Sequence, residues 1–156
     1  MVFESPSKGR LTFEAMLADL LLYLGESPND RYKLIVGTDS HTRTDTIFVT
    51  AVVILRVGRG GRYYFSKSRR RAIKSLRQKI FYETSTSLTV AARLTGLLEA
   101  AGITDFDVAI HIDVGTQGET KELIREIVGM VTGSGYQAAI KPDSFGASKV
   151  ADKYTK

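Results

Sequence analysis

The stretch Lys33–His41, KLIVGTDSH, joins a short apolar run to four polar residues in immediate succession. The aliphatic and β-branched side chains of 34–36 predict a buried strand. Gly37 allows an unusual backbone angle or the close approach of another segment. Because polar groups at the end of a core strand cost free energy unless they are paired or used, Asp39 is the first candidate for a functional residue.

The elements around this strand are predicted from hydrophobic periodicity and from turn residues. Short connections between the first three strands favour an antiparallel meander. In chain order the predicted elements are an amphipathic helix over about residues 12–24, strands at Lys33–His41, Ile47–Val57 and Arg62–Phe65, a long helical stretch from Ser68 to about Gly102, a strand at Val108–Asp113, a helix from Glu119 or Thr120 to Gly133, a strand at Tyr136–Ile140 and a last helix that carries Asp152.

The composition is that of a globular chain and restricts the kinds of metal site. With 156 residues, 43% of them hydrophobic and 25% charged, the chain suits a single domain. It has no cysteine and only two histidines, so a metal would be held mainly by carboxylate oxygens, which favour Mg²⁺ or Mn²⁺. No apolar run reaches the roughly 18 residues of a membrane span, and no signal peptide is recognised. A cytoplasmic location is expected, and the oligomeric state stays open.

The positive charge is concentrated in one segment, which we call the basic arm, Arg56–Lys79. It holds 10 of the 22 basic residues and no acid, whereas the remainder of the chain holds 12 basic and 17 acidic residues. Clustered Arg and Lys next to the aromatic run at 63–65 favour a nucleic-acid partner. The alternative is an ordinary solvated strand edge and helix face. The predicted nucleic-acid contacts are Arg59, Arg62, Lys67, Arg69, Arg70 and Arg71.

Four acids occupy positions where functional carboxylates are expected. Asp39 and Asp113 stand at the ends of two predicted strands, and adjacent strand ends bring such side chains together. Glu83 falls on the inward stripe of the long helical stretch, where an acid is uncommon unless it is paired or metal-bound. The alternative for Glu83 is a cap or salt bridge at a helix break within the small polar run 84–87. Asp152 lies on the predicted last helix.

The order of elements and acids resembles that of the ribonuclease H-like superfamily of nucleases and integrases, and within it the bacterial YkuK-type family. The similar segments are IVGTDSH at Ile35–His41, GRGGRYY at Gly58–Tyr64, HIDVGTQGETKEL at His111–Leu123 and KPDSFGASKVADKYTK at Lys141–Lys156. The resemblance implies one α/β domain over residues 1–156. Its sheet would be mixed and five-stranded, an antiparallel three-strand meander plus two parallel strands, with helices on both faces and an extra N-terminal helix.

The resemblance also implies a metal-dependent nuclease that cleaves the phosphodiester bonds of DNA or RNA with two divalent cations. Carried onto this chain, Asp39 would bridge both ions, Glu83 and Asp113 would bind one of them, and Asp152 the other. The loop KPDSFGAS lacks the histidine that many catalytic relatives place before the last helix. Auxiliary candidates are His41, His111 and Lys153.

Two other functions share this fold. A ribonuclease H-like module that binds nucleic acid with little or no catalysis remains open, because a fold alone does not determine function. A sugar-kinase-like or actin-like ATPase is excluded by length, because those proteins place two such lobes around their nucleotide.

Overall fold

Seven strands and three helices form in residues 1–114 and 121–140, the part of the chain that the computed structural model describes. The strands lie in one mixed sheet in the order β2-β1-β5-β4-β3-β6-β7. Their bounds are β1 Val2–Ser5, β2 Gly9–Thr12, β3 Tyr32–Thr42, β4 Asp45–Arg56, β5 Gly61–Arg71, β6 Phe106–His111 and β7 Gln137–Ala139. The helices are α1 Phe13–Glu26, α2 Leu76–Ala100 and α3 Lys121–Gly133.

The predicted meander and the two parallel strands are confirmed. Strands β3, β4 and β5 pair antiparallel over almost their full lengths, because each connection between them is a short turn. Strands β6 and β7 then add in parallel on the β3 side. The first helix is confirmed as well, and Thr12 caps it by accepting a hydrogen bond from the Ala15 N–H at 3.0 Å.

The predicted count of five strands is wrong for the described residues, because a hairpin precedes α1. Strands β1 and β2 pair with each other, and β1 joins the edge of β5 where Glu4 is opposite Phe65. The Ser5 hydroxyl accepts hydrogen bonds from the N–H groups of Ser7 and Lys8 and so holds the turn. Two four-residue strands are too short to show a periodic pattern in the sequence.

The start of the long helix was also predicted wrongly. Residues from Ser68 to Arg71 belong to β5, which stays paired with β4 as far as Asp45 opposite Arg71. The helix begins at Leu76, where the Ser75 hydroxyl accepts a hydrogen bond from the Gln78 N–H. From there α2 is continuous, and hydroxyls such as that of Thr84 find an acceptor within it, the carbonyl one turn earlier. The polar run 84–87 therefore does not break the helix.

The three described helices pack against one face of the sheet. Apolar side chains of α1, α2 and α3 form a single buried cluster with sheet residues that include Leu34, Val36 and Ile110. Alternate sheet residues, Ile35, Ala51 and Val53, form a separate small cluster, as expected for side chains on the opposite face. Helices on both faces were predicted, and those of the described residues lie on one face. The predicted last helix lies outside the described residues. No described helix combines the length and apolar character needed to span a membrane.

Helix α1 is tied to β5 by a buried acid. Asp19 is 8% exposed, its two carboxylate oxygens lie 3.2 Å from Nη1 of Arg62, and one of them accepts the Tyr64 hydroxyl at 2.6 Å. Burial and this hydrogen bond both raise the pKa of Tyr64, so the phenol stays protonated. A charged and buried hydrogen bond of this kind fixes the helix on the sheet.

We expect Tyr64→Phe to lower the free energy of unfolding by about 1–3 kcal/mol. The substitution removes a hydrogen bond to the buried carboxylate of Asp19 and keeps the aromatic ring. Urea denaturation followed by circular dichroism measures the loss. An unfolding free energy equal to that of the parent would show that Arg62 alone satisfies Asp19.

Candidate functional site

The parallel pairing of β3 and β6 places two of the predicted acids on neighbouring strands. Gly37 of β3 is opposite His111 of β6, and Asp39 and Asp113 each follow two residues later. Side chains two residues apart along an extended chain point to the same face, so the two acids extend the same side of this strand pair. Both are half-buried.

Helix α2 brings the third predicted acid to the same place. The Ser40 hydroxyl donates a short hydrogen bond to Oε2 of Glu83, and the Ser40 N–H donates to Oδ1 of Asp39 at 2.9 Å. One turn further along α2, the Ser87 hydroxyl lies 2.8 Å from that of Thr38. Ser40 therefore contacts both carboxylates, and hydroxyl contacts hold this part of α2 on β3. Ser40 is not among the predicted site residues, although it directly follows Asp39 in the sequence.

Of the three acids, Glu83 has a pKa that burial and the other two carboxylates shift. Burial raises the pKa of Glu83 to about 8, in spite of the Ser40 hydrogen bond that favours ionisation. The negative charges of Asp39 and Asp113 raise it further, while Lys79 opposes them. Glu83 therefore holds its proton at neutral pH. Such a strongly shifted carboxyl is typical of functional sites.

The carboxyl groups of Asp39, Glu83 and Asp113 are suited to a hard cation, because carboxylate oxygens are the ligands that Mg²⁺ and Mn²⁺ prefer. Within residues 1–114 and 121–140, however, no three Asp, Glu, His or Cys side chains lie close enough together to hold a metal ion. Asp152 and Lys153 lie outside the described residues. The Ser40 hydrogen bond also engages an oxygen of Glu83 that a cation would need. Metal binding at these acids would therefore require Glu83 to lose its proton and to turn from Ser40.

The two histidines differ in their surroundings. His111 is 6% exposed and borders a small void that Glu83 and Asp113 also line. Burial, and secondarily the charge of Lys33, lowers the pKa of His111 to about 4, and its Nδ1 is buried without a hydrogen-bond partner among the described residues. His41 is exposed, and its Nε2 accepts a hydrogen bond from Arg43 at 3.4 Å. His111 is therefore the neutral histidine beside the acids.

The structure divides the basic arm into two parts. At the β4–β5 turn, Arg59 lies 3.5 Å from Asp30, and Arg62 contacts the buried Asp19. This turn is at the opposite end of the strands from Asp39, because Leu55 is opposite Gly61 there. Arg59 and Arg62 thus form ion pairs far from the acids.

The second part of the basic arm lies at the same end as the acids. Asp39 is opposite Val49, which in turn is opposite Lys67, so these residues form one row across the sheet. Lys67 and the three arginines at 69–71 are all exposed. The short β3–β4 turn adds Arg43 to this end, a residue that charge counting along the arm could not include. The cationic side chains near the acids thus come from two separate segments of the chain, β5 and the β3–β4 turn.

Comparisons with known proteins agree with this geometry. The sequence profile of the family described as ribonuclease H-like matches residues 15–156. An uncharacterized protein of Bacillus subtilis (strain 168), YkuK, is 35% identical over 168 aligned residues, which cover 99% of this chain and 97% of that protein. No solved structure matches this chain. By its family profile, its full-length relative and its sheet order, the chain belongs to the ribonuclease H-like family, in its YkuK-type branch.

Proposed function

We propose that this protein is a divalent-metal-dependent nuclease that hydrolyses phosphodiester bonds of DNA or RNA in the cytoplasm. The feature that supports it best is the half-buried carboxyl of Glu83, which Ser40 joins to Asp39 and whose pKa is raised to about 8 by burial and by the charges of Asp39 and Asp113. Glu83 keeps its proton at neutral pH because its ionised form would be desolvated and next to two other acids. A cation bound there would offset that cost and allow Glu83 to ionise.

In the proposed site Asp39 would be the ligand common to two Mg²⁺ or Mn²⁺ ions, Glu83 and Asp113 would help to hold one of them, and Asp152 would help to hold the other. Two such ions would activate a water molecule and stabilise the leaving oxygen of an in-line displacement. The chain contributes part of this geometry, since the Ser40 N–H holds Asp39. In the metal-free protein the Ser40 hydroxyl holds Glu83, and Glu83 would leave it to bind a cation.

Nucleic-acid binding is assigned to the part of the basic arm near the acids. Lys67, Arg69, Arg70 and Arg71 are exposed and are proposed to meet phosphates. The other two predicted contacts, Arg59 and Arg62, pair with Asp30 and Asp19, and we assign them to the packing of α1.

One observation favours a second candidate, a nucleic-acid-binding module without catalysis. Among the described residues no three ligating side chains are close enough for a metal ion. If Asp152 does not complete the site, the same fold and the same basic surface would still hold a nucleic acid.

A panel of labelled DNA, RNA and hybrid substrates, single- and double-stranded, tests the proposal when each is incubated with Mg²⁺ or Mn²⁺ and with a chelator. We expect at least one class to be cut in the presence of either metal and none with the chelator. Binding without cleavage anywhere in the panel would favour the binding module instead.

A further inference from the structure

We propose that this protein acts on polynucleotides and not on dinucleotides, because a basic surface beyond the acids holds phosphates several nucleotides away from the bond that is cut. The inference rests on the proposed function for the position of that bond. We call this surface the distal basic surface, and its members are Arg43, Arg69, Arg70, Arg71 and Lys74.

The distal basic surface is assembled by the sheet from two chain segments. The Arg43 N–H donates to the carbonyl of Asp45 at 2.9 Å and closes the β3–β4 turn, and Asp45 is opposite Arg71 at the end of β5. The connection from β5 to α2 then carries Lys74. Segments 43–45 and 69–74 together hold five cations and one acid, and all five cations are exposed. Arg70 lies on the side of β5 that faces α2, whereas Arg69 and Arg71 lie on the other side, so the distal basic surface surrounds this end of the sheet and is strongly positive.

Within residues 1–114 and 121–140, the charges of this surface are held in place but are not neutralised. The one acid, Asp45, lies 3.8 Å from Arg69, and both side chains are well exposed, so this pair contributes little. The Arg70 guanidinium donates to the Tyr82 hydroxyl at 2.8 Å, and Tyr82 packs on Phe48 with ring centroids 4.4 Å apart. Because a phenol is uncharged, Arg70 keeps its full charge. The arginines at the opposite end of the sheet, in contrast, face carboxylates.

The sheet register gives the distance from this surface to the acids. Lys67 lies in the same row as Asp39, two strands away, while Arg69 and Arg71 follow two and four residues later. With about 3.3 Å per residue and 4.8 Å between strands, the Cα atoms of these arginines lie roughly 12–16 Å from that of Asp39. At a rise of 3.4 Å per nucleotide of one strand, this span corresponds to about three to five nucleotides.

A dinucleotide carries a single phosphodiester and cannot reach the acids and the distal basic surface together. A longer strand can place one phosphate at the acids and others on the arginines, and each neutralised phosphate adds affinity through the release of counterions. Affinity should therefore rise with strand length until the surface is reached and then level off. Because a dinucleotide at the acids gains no affinity from this surface, we expect the protein to bind and cleave dinucleotides poorly.

Fluorescence anisotropy with labelled strands of increasing length tests the inference. Measuring it in Mg²⁺ with the Asp39→Asn protein prevents consumption of the strands. We expect a twelve-nucleotide strand to bind at least about tenfold more tightly than a dinucleotide. Combined Arg69→Ala, Arg71→Ala and Lys74→Ala should abolish that gain and reduce the slope of log K against log salt by about 2–3, at roughly 0.7–0.9 per lost phosphate contact.

A matched control removes the same charge elsewhere, with Lys8→Ala, Arg10→Ala and Arg31→Ala, three exposed cations outside the distal basic surface. It should keep the length dependence. If the first variant does not fold, Arg43→Ala with Lys74→Ala removes two cations from the turn and the connection outside the paired strands.

Equal affinity for the dinucleotide and the long strand would overturn the inference, as would a distal variant that binds like the parent. Displacement of the strand by polyglutamate as effectively as by polynucleotide would also overturn it and assign the surface to an acidic protein. Length-dependent binding that the distal variant loses supports the inference even if the parent cuts nothing in Mg²⁺ or Mn²⁺. In that case only the proposed nuclease activity fails.

Discussion

Asp39→Asn is expected to reduce metal-dependent cleavage by at least about three orders of magnitude, which corresponds to roughly 4 kcal/mol of transition-state stabilisation. Asn keeps the size of the side chain, and its amide oxygen can still accept the Ser40 N–H. It lacks the negative charge that a ligand shared by two cations must supply. The value of kcat/KM on the best substrate of the panel, in Mg²⁺ and in Mn²⁺, measures the loss.

Asp113→Asn should cause a loss of similar size, because Asp113 lies beside Asp39 on the neighbouring strand. Asp107→Asn is the matched control, since Asp107 is an exposed acid near the start of the same chain segment, opposite Lys33. It should retain the activity of the parent. Metal-dependent cleavage that survives both Asp39→Asn and Asp113→Asn would show that these acids are not the site.

Glu83→Gln should stabilise the metal-free protein above about pH 8 and have little effect below about pH 4.5. In the parent, folding raises the pKa of this carboxyl from 4.5 to about 8, so between these values the folded state binds more protons than the unfolded state. The unfolding free energy of the parent therefore falls as pH rises through this window. The decrease in unfolding free energy is complete once the pH exceeds about 8, the pKa of Glu83 in the folded state.

Gln cannot ionise and avoids this penalty, while its amide oxygen can still accept the Ser40 hydroxyl. We expect the variant to exceed the parent by on the order of 2 kcal/mol above pH 8, a part of the 1.4 kcal/mol per pH unit that linkage allows. Chemical denaturation at a series of pH values measures the difference. Glu99→Gln, at an exposed position of the same helix, should show no such pH dependence. A Glu83→Gln protein less stable than the parent at every pH would show that the carboxylate is needed for packing.

Much of the central sheet could be predicted from the sequence because its strands are long and bounded by strong turn signals. The run Ile47–Val57 and the turn glycines at 58, 60 and 61 predict β4 and its connection to β5. The hairpin of β1 and β2 could not be predicted in this way, because its strands have four residues each and gain their stability from the edge of β5. The length of β5 depends likewise on pairing with β4, whereas the arginine run itself would suit either a helix or a strand.

The part of the candidate site that could be predicted is the part that depends on strand ends and on helix periodicity. Those patterns bring Asp39, Glu83 and Asp113 near one another, and the influence of the two aspartates on the pKa of Glu83 agrees with this. They do not show that Ser40 contacts both Asp39 and Glu83, because that contact joins residues 43 positions apart in the chain. The division of the basic arm also depends on tertiary contacts. Arg62 pairs with the buried Asp19, whereas Arg69 is well exposed and faces the exposed Asp45, and the sequence does not distinguish these two arginines.

Thermal melts of the parent and of Asp39→Asn, with and without Mn²⁺, test most directly whether these acids bind a divalent cation. A cation that binds only the folded state stabilises it by mass action, by about 2.7 kcal/mol when its concentration is a hundred times Kd. We predict that Mn²⁺ raises the Tm of the parent and that the variant loses most of this rise. Without metal the variant should melt no lower than the parent, because one of the repelling charges is gone. Equal Mn²⁺ shifts in the two proteins, or a metal-free variant that melts well below the parent, would contradict the proposed metal site.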